Sequence, residues 1–488
     1  MRSLHFCLIS LLLLTLACST NPATGQREFN IVSEAQEIAL GRQAHEEVIQ
    51  QFGIYREKPE LNRLVDDVGK RIAAVSERPD LPWQFTVLDS PMVNAMALPG
   101  GYIYITRGML ERMNSVDEVA GVLGHEIAHV TARHAAQRIS RAQLAQFGLV
   151  LGAVVAGPEA LQQYGQLAEL AVGLLFQRYS RGQETQADVF GTSYMAEAKF
   201  NPLGAEQMLM TLQRLDKNPA AGLERYFLSH PEPAKRVRDV QKRIGEIAAT
   251  SGAPRPPERT PYIRLLDGVM TGNSTQQVII KGNTIYDRDH GMILTAPAGW
   301  TAATAPGILF AMAPRGGGQS QLVVQELPAR SLQGRNAQQA VRIRLEQIGL
   351  SYAGSRGAAV QSGQQFPIDV WTGRTQSGAV GVETTQFAHG DHVAVFMFVA
   401  PSLSRTQSPL GEILGRAEIN AARARAVEPP RIRIGTVRAG ESWSDIARRA
   451  TGNAADAEAV ANMNGFDLRQ APSAGLMVKL PQEVVREG

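Results

Sequence analysis

The sequence predicts a multidomain chain: a mainly α domain with a small β-sheet, then an α+β domain with an antiparallel sheet, then a small βααβ unit. Three observations predict it. At 488 residues the chain is long for one core, and about 150 residues per domain suggests about three. Apolar residues change from i, i+3, i+4 spacing to strand-like runs beyond a Pro-rich stretch, Pro254–Pro257. A second break, Pro429-Pro430, precedes a short segment with its own strand–helix–helix–strand order. The segments that follow are 1–18, 19–30, 31–250, a linker at 251–258, 259–428 and 429–488.

At the N-terminus, Arg2 precedes an apolar run from Phe6 to Ala17. That run is shorter than the roughly 20 residues of a spanning helix and fits a secretory signal. Thr15-Leu16-Ala17-Cys18 resembles a bacterial lipoprotein processing site, with Thr15 where Leu is usual. On this reading Cys18 is lipidated, and Ser19 addresses the protein to the periplasmic side of the outer membrane. The alternative is simple cleavage near Ala17. The only cysteines, Cys7 and Cys18, lie in this segment, so the folded body has neither disulfide nor thiol nucleophile. A net charge of +3 is too small a field to imply nucleic acid. Arg pairs such as Arg236 with Arg238, and Arg423 with Arg425, read as solvated faces.

Residues 19–30 are polar and loop-like, a tether. Helical spacing marks 34–51, 59–76, 115–139, 183–198, 202–215 and 232–248. Between them, Phe85–Leu88, Asn94–Leu98 and Tyr102–Thr106 read as a small sheet, with Pro99-Gly100-Gly101 making a hairpin turn. The apolar run Phe147–Ala156 is too short to span a bilayer and reads as a buried or lid helix. Beyond the linker, Val278–Ile280, Met292–Leu294, Leu322–Val324, Val380–Thr385 and Val393–Val399 are expected strands, with helices at 337–349 and 409–424. Gly316–Gly318 lacks the context of a phosphate cradle and reads as a turn. His389 and His392 read as exposed residues without a metal role.

The chemistry concentrates in Gly124-His125-Glu126-Ile127-Ala128-His129. On a helix, residues i and i+4 share a face, so His125 and His129 can grip one Zn²⁺ together, with Glu126 beside the attacking water. Ser115 and Glu118 form a capping box, and Val119, Val122, Leu123 and Val130 form a buried stripe. A third histidine at position 135 with glycine at 132 would extend the motif, but Ala135 and Ala132 stand there. His134 is one residue off, and a continuous helix turns it away from the metal. Downstream, Glu184 and Asp188 are again i and i+4 on a helix. Glu184 can complete a His₂Glu site, and Asp188 can accept the free ring N–H of His125.

Together with Asn94–Gly101 and Ser229-His230-Pro231 plus Arg236, these motifs resemble the gluzincin metallopeptidases of the CAAX prenyl protease and bacterial periplasmic quality-control kind, over roughly residues 30–248. The resemblance implies one Zn²⁺ per chain on His125, His129 and Glu184, and Glu126 as general base and acid. It also implies that the strand Asn94, Ala95, Met96 and Ala97 holds substrate by strand addition. It places His230 and Arg236 beside the metal as candidates to steady the oxyanion; a related role for His230 is to close the fourth zinc position. The chain departs from the membrane-embedded members in lacking their spanning helices, so the resemblance does not extend to prenylated-protein processing.

The C-terminal unit resembles a LysM module through Val437–Trp443, Ile446-Ala447, Asn464-Gly465 and Gly475–Pro481. That resemblance implies binding of peptidoglycan-type glycans, while Trp443 reads as a core residue. The expected function is a zinc endopeptidase trimming unfolded or misassembled envelope proteins. The alternatives are a latent or silent-site cell-wall-associated chaperone, and a peptidoglycan peptidase.

Overall fold

The computed structural model describes residues 18–141, 179–216, 230 and 233–483, apart from short segments between 306 and 407. The chain divides into two compact units, residues 1–269 with 433–480, and residues 270–432 with 481–488. The C-terminal unit expected as a separate third domain is thus part of the first unit. The expected signal segment before Cys18 and the run Phe147–Ala156 lie outside the described residues, as does Gly316–Gly318. Among the described residues no helix is long and apolar enough to cross a membrane.

The first unit opens with strands β1 (Cys18–Thr20) and β2 (Arg27–Phe29), which pair antiparallel. The expected tether is therefore a hairpin, and it is fastened to the body. Buried Asn21 donates to the Ala132 carbonyl at 2.8 Å, and the Ile31 amide donates to Ser140 Oγ at 3.0 Å. Helix α1 (Glu34–Phe52) starts at a capping box of Ser33 and Gln36, and α2 (Pro59–Ala73) starts on a proline that has no amide to leave unpaired. Strands β3 (Gln84–Leu88), β4 (Ala95–Leu98) and β5 (Tyr102–Thr106) form a sheet in the order β3-β5-β4. The hairpin of β4 and β5 turns through Gly100 and Gly101 at φ 79° and 97°, a region open to glycine. β4 is left at the sheet edge.

A short helix, α3 (Arg107–Arg112), leads into α4 (Val116–Thr131), which carries the His-Glu motif. Ser115 caps α4 by accepting the Glu118 amide, but the Glu118 carboxylate accepts from the Asn114 amide rather than closing the expected reciprocal box. The expected continuous helix over 115–139 breaks at Ala132-Arg133, and helix resumes over 134–141. Arg133 has φ +55°, which a non-glycine residue adopts only when its surroundings impose it. Those surroundings are the Glu37 carboxylate, the Val32 carbonyl and Ser19 Oγ, all bonded to its guanidinium.

Helices α5 (Arg181–Glu197), α6 (Leu203–Asp216), α7 (Pro233–Ser251) and α8 (Thr260–Leu265) complete this part of the unit. α4 and α5 cross at two glycines. A Cβ on Gly191 would stand 2.7 Å from the Gly124 carbonyl carbon and 2.8 Å from the His125 amide nitrogen. Glycine at both positions lets the backbones approach this closely, and that approach carries the acidic helix to the histidines.

The second unit holds a seven-stranded sheet in the order β12-β13-β14-β15-β11-β10-β9 and a four-stranded sheet β16-β8-β7-β6. Its strands are β6 (Val278–Lys281), β7 (Thr284–Asp287), β8 (Met292–Thr295), β9 (Trp300–Ala305), β10 (Ile308–Pro314), β11 (Gln321–Pro328), β12 (Ser351–Gln361), β13 (Gln364–Thr375), β14 (Gly378–His389), β15 (His392–Ala400) and β16 (Glu418–Ile419). Every pairing is antiparallel. Phe310, Leu322, Val324, Phe396 and Phe398 centre its core. Helix α9 (Ala337–Gln347) lies where expected. The expected helix over 409–424 is two short ones, α10 (Leu410–Gly415) and α11 (Ala421–Ala426), flanking β16. His392 is half-buried rather than exposed, its ring centre 4.4 Å from that of His290; the His389 side chain lies outside the described residues.

The chain then returns to the first unit with β17 (Ile432–Thr436), α12 (Trp443–Thr451), α13 (Ala457–Met463) and β18 (Met477–Pro481), the two strands pairing. Trp443 is buried and donates from Nε1 to the Gln470 carbonyl at 2.7 Å, a core role as expected. Lys479 is fully buried. Its ammonium donates to the carbonyls of Glu111 and Met113, at 2.7 and 2.9 Å, at the end of α3 just ahead of the α4 cap.

Candidate metal centre

Four side chains from three elements converge within the first unit: His125 and His129 on α4, Glu184 on α5, and His230 just ahead of α7. One donor atom from each lies within 4.8 Å of all the others, and all four residues are buried. His125 Nε2 is 3.0 Å from His129 Nε2, 3.7 Å from Glu184 Oε2 and 3.3 Å from His230 Nδ1. Glu184 Oε1 is 3.4 Å from His129 Nε2 and 3.0 Å from His230 Nδ1. Zinc bonds of about 2.0–2.1 Å place tetrahedral donors about 3.3 Å apart. The spacing and the N₃O donor set therefore fit a zinc ion, with His230 at the fourth corner.

Asp188, one turn beyond Glu184, is 2.9 Å from Nδ1 of His125, as the i, i+4 spacing predicts. Arg236 on α7 grips Asp188 with two parallel bonds, Nε to Oδ2 at 2.7 Å and Nη2 to Oδ1 at 2.8 Å, and its Nη1 is 3.0 Å from Glu184 Oε2. Buried and held between two carboxylates, it is no solvated surface charge. His129 has a different neighbour. Its Nδ1 is 2.8 Å from Nδ1 of His134, whose Nε2 is 3.1 Å from Gln186 Oε1. The break at Arg133 thus turns His134 back onto His129. Tyr179 stacks on the His129 ring at 3.8 Å between centres, and the Arg138 guanidinium carbon lies 4.0 Å from the centre of the Tyr179 ring. His134, Gln186 and Tyr179 in these positions carry no periodic sequence signal.

The charges follow from burial and partners. Burial raises Glu126, and the facing His230 and His125 only partly offset it. One of its oxygens, Oε2, is buried without a hydrogen-bond partner among the described residues. For Glu184 burial is outweighed by His230 and Arg236, which hold its carboxyl well below the usual range. In Asp188 burial is likewise outweighed by Arg236 and His125, and the pKa falls. Burial pulls His129 well down and His134 to about 4, and pushes Tyr179 up to about 12. For His125, burial and Arg236 act downward, but Asp188 and Glu184 leave its pKa raised.

The strand expected to meet substrate is β4. Asn94 stands just before it, with its Oδ1 accepting the Ala95 amide and its carbonyl accepting from Thr106. Ala97 and Leu98 line a hollow with His129 and Tyr179. The Cys18 backbone pairs with Phe29, and its side chain lies outside the described residues.

A helix-borne pair of histidines, a carboxylate from a second helix and a buried glutamate beside them define a metallopeptidase of the zinc-binding gluzincin kind. The chain matches Peptidase family M48 over residues 59–244. It is 33% identical over 230 residues to the mitochondrial metalloendopeptidase OMA1 of Schizosaccharomyces pombe, covering 46% of this chain and 66% of that one. It is 28% identical over 198 residues to the beta-barrel assembly-enhancing protease of Yersinia pestis, covering 39% and 40%. Against the metalloprotease YcaL of Escherichia coli it is 28% identical over 183 residues, covering 36% and 70%. The chain thus spans just under two thirds of the first relative and less than half of the second.

Proposed function

We propose that the chain is a zinc-dependent endopeptidase that hydrolyses unfolded or misassembled envelope proteins, held at the outer membrane through a lipidated Cys18. The observation that carries the hydrolytic reading is the buried N₃O donor cluster with the unpaired Oε2 of Glu126 beside it. A zinc ion bound there would supply Lewis acidity toward a scissile carbonyl and make water more acidic. Glu126, whose burial favours holding a proton, takes a proton from water and returns it to the leaving amine. In this reading the edge strand β4 pairs with an extended peptide, and Ala97 and Leu98 of that strand line the same small hollow as His129. Arg236 is a positioning residue in this reading, because its guanidinium is committed to Asp188 and Glu184. The envelope substrates rest on the N-terminal sequence and on the beta-barrel assembly-enhancing relative.

Unfolded casein tests the chemistry. The mature chain is expected to cleave it, to stop with chelator, and to lose about 10²–10⁴-fold in kcat in Glu126→Gln while keeping its zinc. Cleavage indifferent to both changes would reject the zinc mechanism.

One geometric observation favours a resting, closed state: Nδ1 of His230 occupies the fourth donor corner, and its Nε2 is 3.8 Å from Glu126 Oε1. His230→Ala is therefore expected to raise casein turnover at saturating zinc. A fall in kcat with zinc retained would make His230 an oxyanion donor instead.

A further inference from the structure

His134 stands five residues beyond His129, and both of its ring nitrogens are engaged in a fully buried setting. Two facing imidazole nitrogens hydrogen-bond only when one carries a proton and the other a lone pair. The carbonyl oxygen of Gln186 has no proton to give, so His134 donates to it from Nε2. A neutral His134 then presents a bare Nδ1, and the proton in the 2.8 Å contact belongs to Nδ1 of His129. That leaves His129 a bare Nε2, the atom facing His125 and Glu184 in the donor cluster. The chain of bonds from Gln186 through His134 selects the one tautomer of His129 that can ligate a metal.

We propose that His134, oriented by Gln186, is a positioning residue that fixes the tautomer and ring plane of His129 for metal binding, an inference that rests on the zinc-site reading above. The two histidine ligands then have unlike supports. His125 leans on a carboxylate whose charge Arg236 balances, whereas His129 leans on a neutral imidazole. A neutral acceptor fixes the ring without placing a third buried anion near Glu184. The device depends on a tertiary feature, the left-handed Arg133 held by Glu37 and Val32, because only the reversal there brings His134 back over His129.

Partners of this kind contribute about 10–100-fold in metal affinity. Zinc affinity is measured by chelator competition on the full mature chain, and the visible spectrum is recorded with cobalt in place of zinc. His134→Phe keeps an aromatic ring and removes both nitrogens; zinc affinity is expected to fall by about 10–100-fold and the cobalt spectrum to shift. His134→Gln retains an oxygen that accepts from His129 and an amide that donates to Gln186, and is expected to restore affinity to within about threefold of the parent. Gln186→Met removes the last acceptor and is expected to weaken zinc about three- to tenfold. Parent-like affinity in His134→Phe, or an equal loss in His134→Gln, would overturn the inference and leave His134 a packing residue. If His134→Phe does not fold, unchanged affinity in Gln186→Met overturns it. A parent chain that takes up no zinc overturns the metal-site reading itself, which separates the two failures.

Discussion

Glu184→Ala is expected to weaken zinc binding by about 10²–10³-fold, since zinc sites of four ligands are worth about 10–16 kcal/mol and one ligand carries roughly a quarter. Glu184 is the anion among the four donors, and its loss also changes the field at the site. Arg236 Nη1, now 3.0 Å from Glu184 Oε2, would keep its charge beside the cation position with that partner gone. Three histidines remain, so weak binding should persist in the single variant. Glu184→Ala combined with His230→Ala should carry no stoichiometric zinc after gel filtration. Glu184→Gln separates charge from shape and should resemble the alanine variant. Metal content and chelator competition measure all three. Parent affinity in Glu184→Ala would move the third ligand elsewhere and remove the basis for the peptidase assignment.

The donor set was legible because each half of it is local. A helix fixes the mutual placement of residues i and i+4, so His125 with His129, and Glu184 with Asp188, could be paired from spacing alone. Their meeting depends on the glycine crossing of Gly124 and Gly191, which periodicity does not mark. In sequence His134 points away from the metal, because a continuous helix would turn it so. The turn that redirects it is enforced by Glu37, Val32 and Ser19, about a hundred residues earlier, and no window around the motif contains them. Arg236 shows the same limit. A run of basic residues on a helix looks solvated until the two carboxylates that bury it are known.

Fold class is legible where one face of an element decides it, as in the hairpin at Gly100-Gly101 and the antiparallel strands of the second unit. Domain number is not. Proline-rich breaks mark where the chain leaves a compact unit, and they carry no record of whether it later returns. Lys479 conceals the return, because a lysine alternating with Val478 and Leu480 on a strand reads as the exposed face. Here it is the most deeply committed residue of its strand.

That commitment makes removal of the C-terminal segment the largest stability change expected for this chain. Deleting Arg433 onward takes away both Lys479 bonds to the carbonyls of Glu111 and Met113. It also removes the Asn464 and Gly465 carbonyls that accept from Arg259 and Arg214. The two arginine bonds are worth about 1.5–3 kcal/mol each, and the two from Lys479, whose pKa burial pulls down, about 0.5–3 kcal/mol each. Their sum, even discounted for shared partners, rivals the 5–15 kcal/mol or so that holds a whole domain together. The groups left bare sit beside Asn114 and Ser115, the cap of the helix that carries His125 and His129. The truncated chain should therefore lose its cooperative thermal transition or unfold more than about 10 °C lower, and release zinc with it. Lys479→Met, which keeps the strand but orphans the two carbonyls, should cost about 2–4 kcal/mol. A truncation that unfolds at the parent temperature with full zinc would show that the segment is an independent appendage. Loss in both variants would make it a brace of the zinc helix, so that any partner binding the segment would act on a part of the peptidase itself.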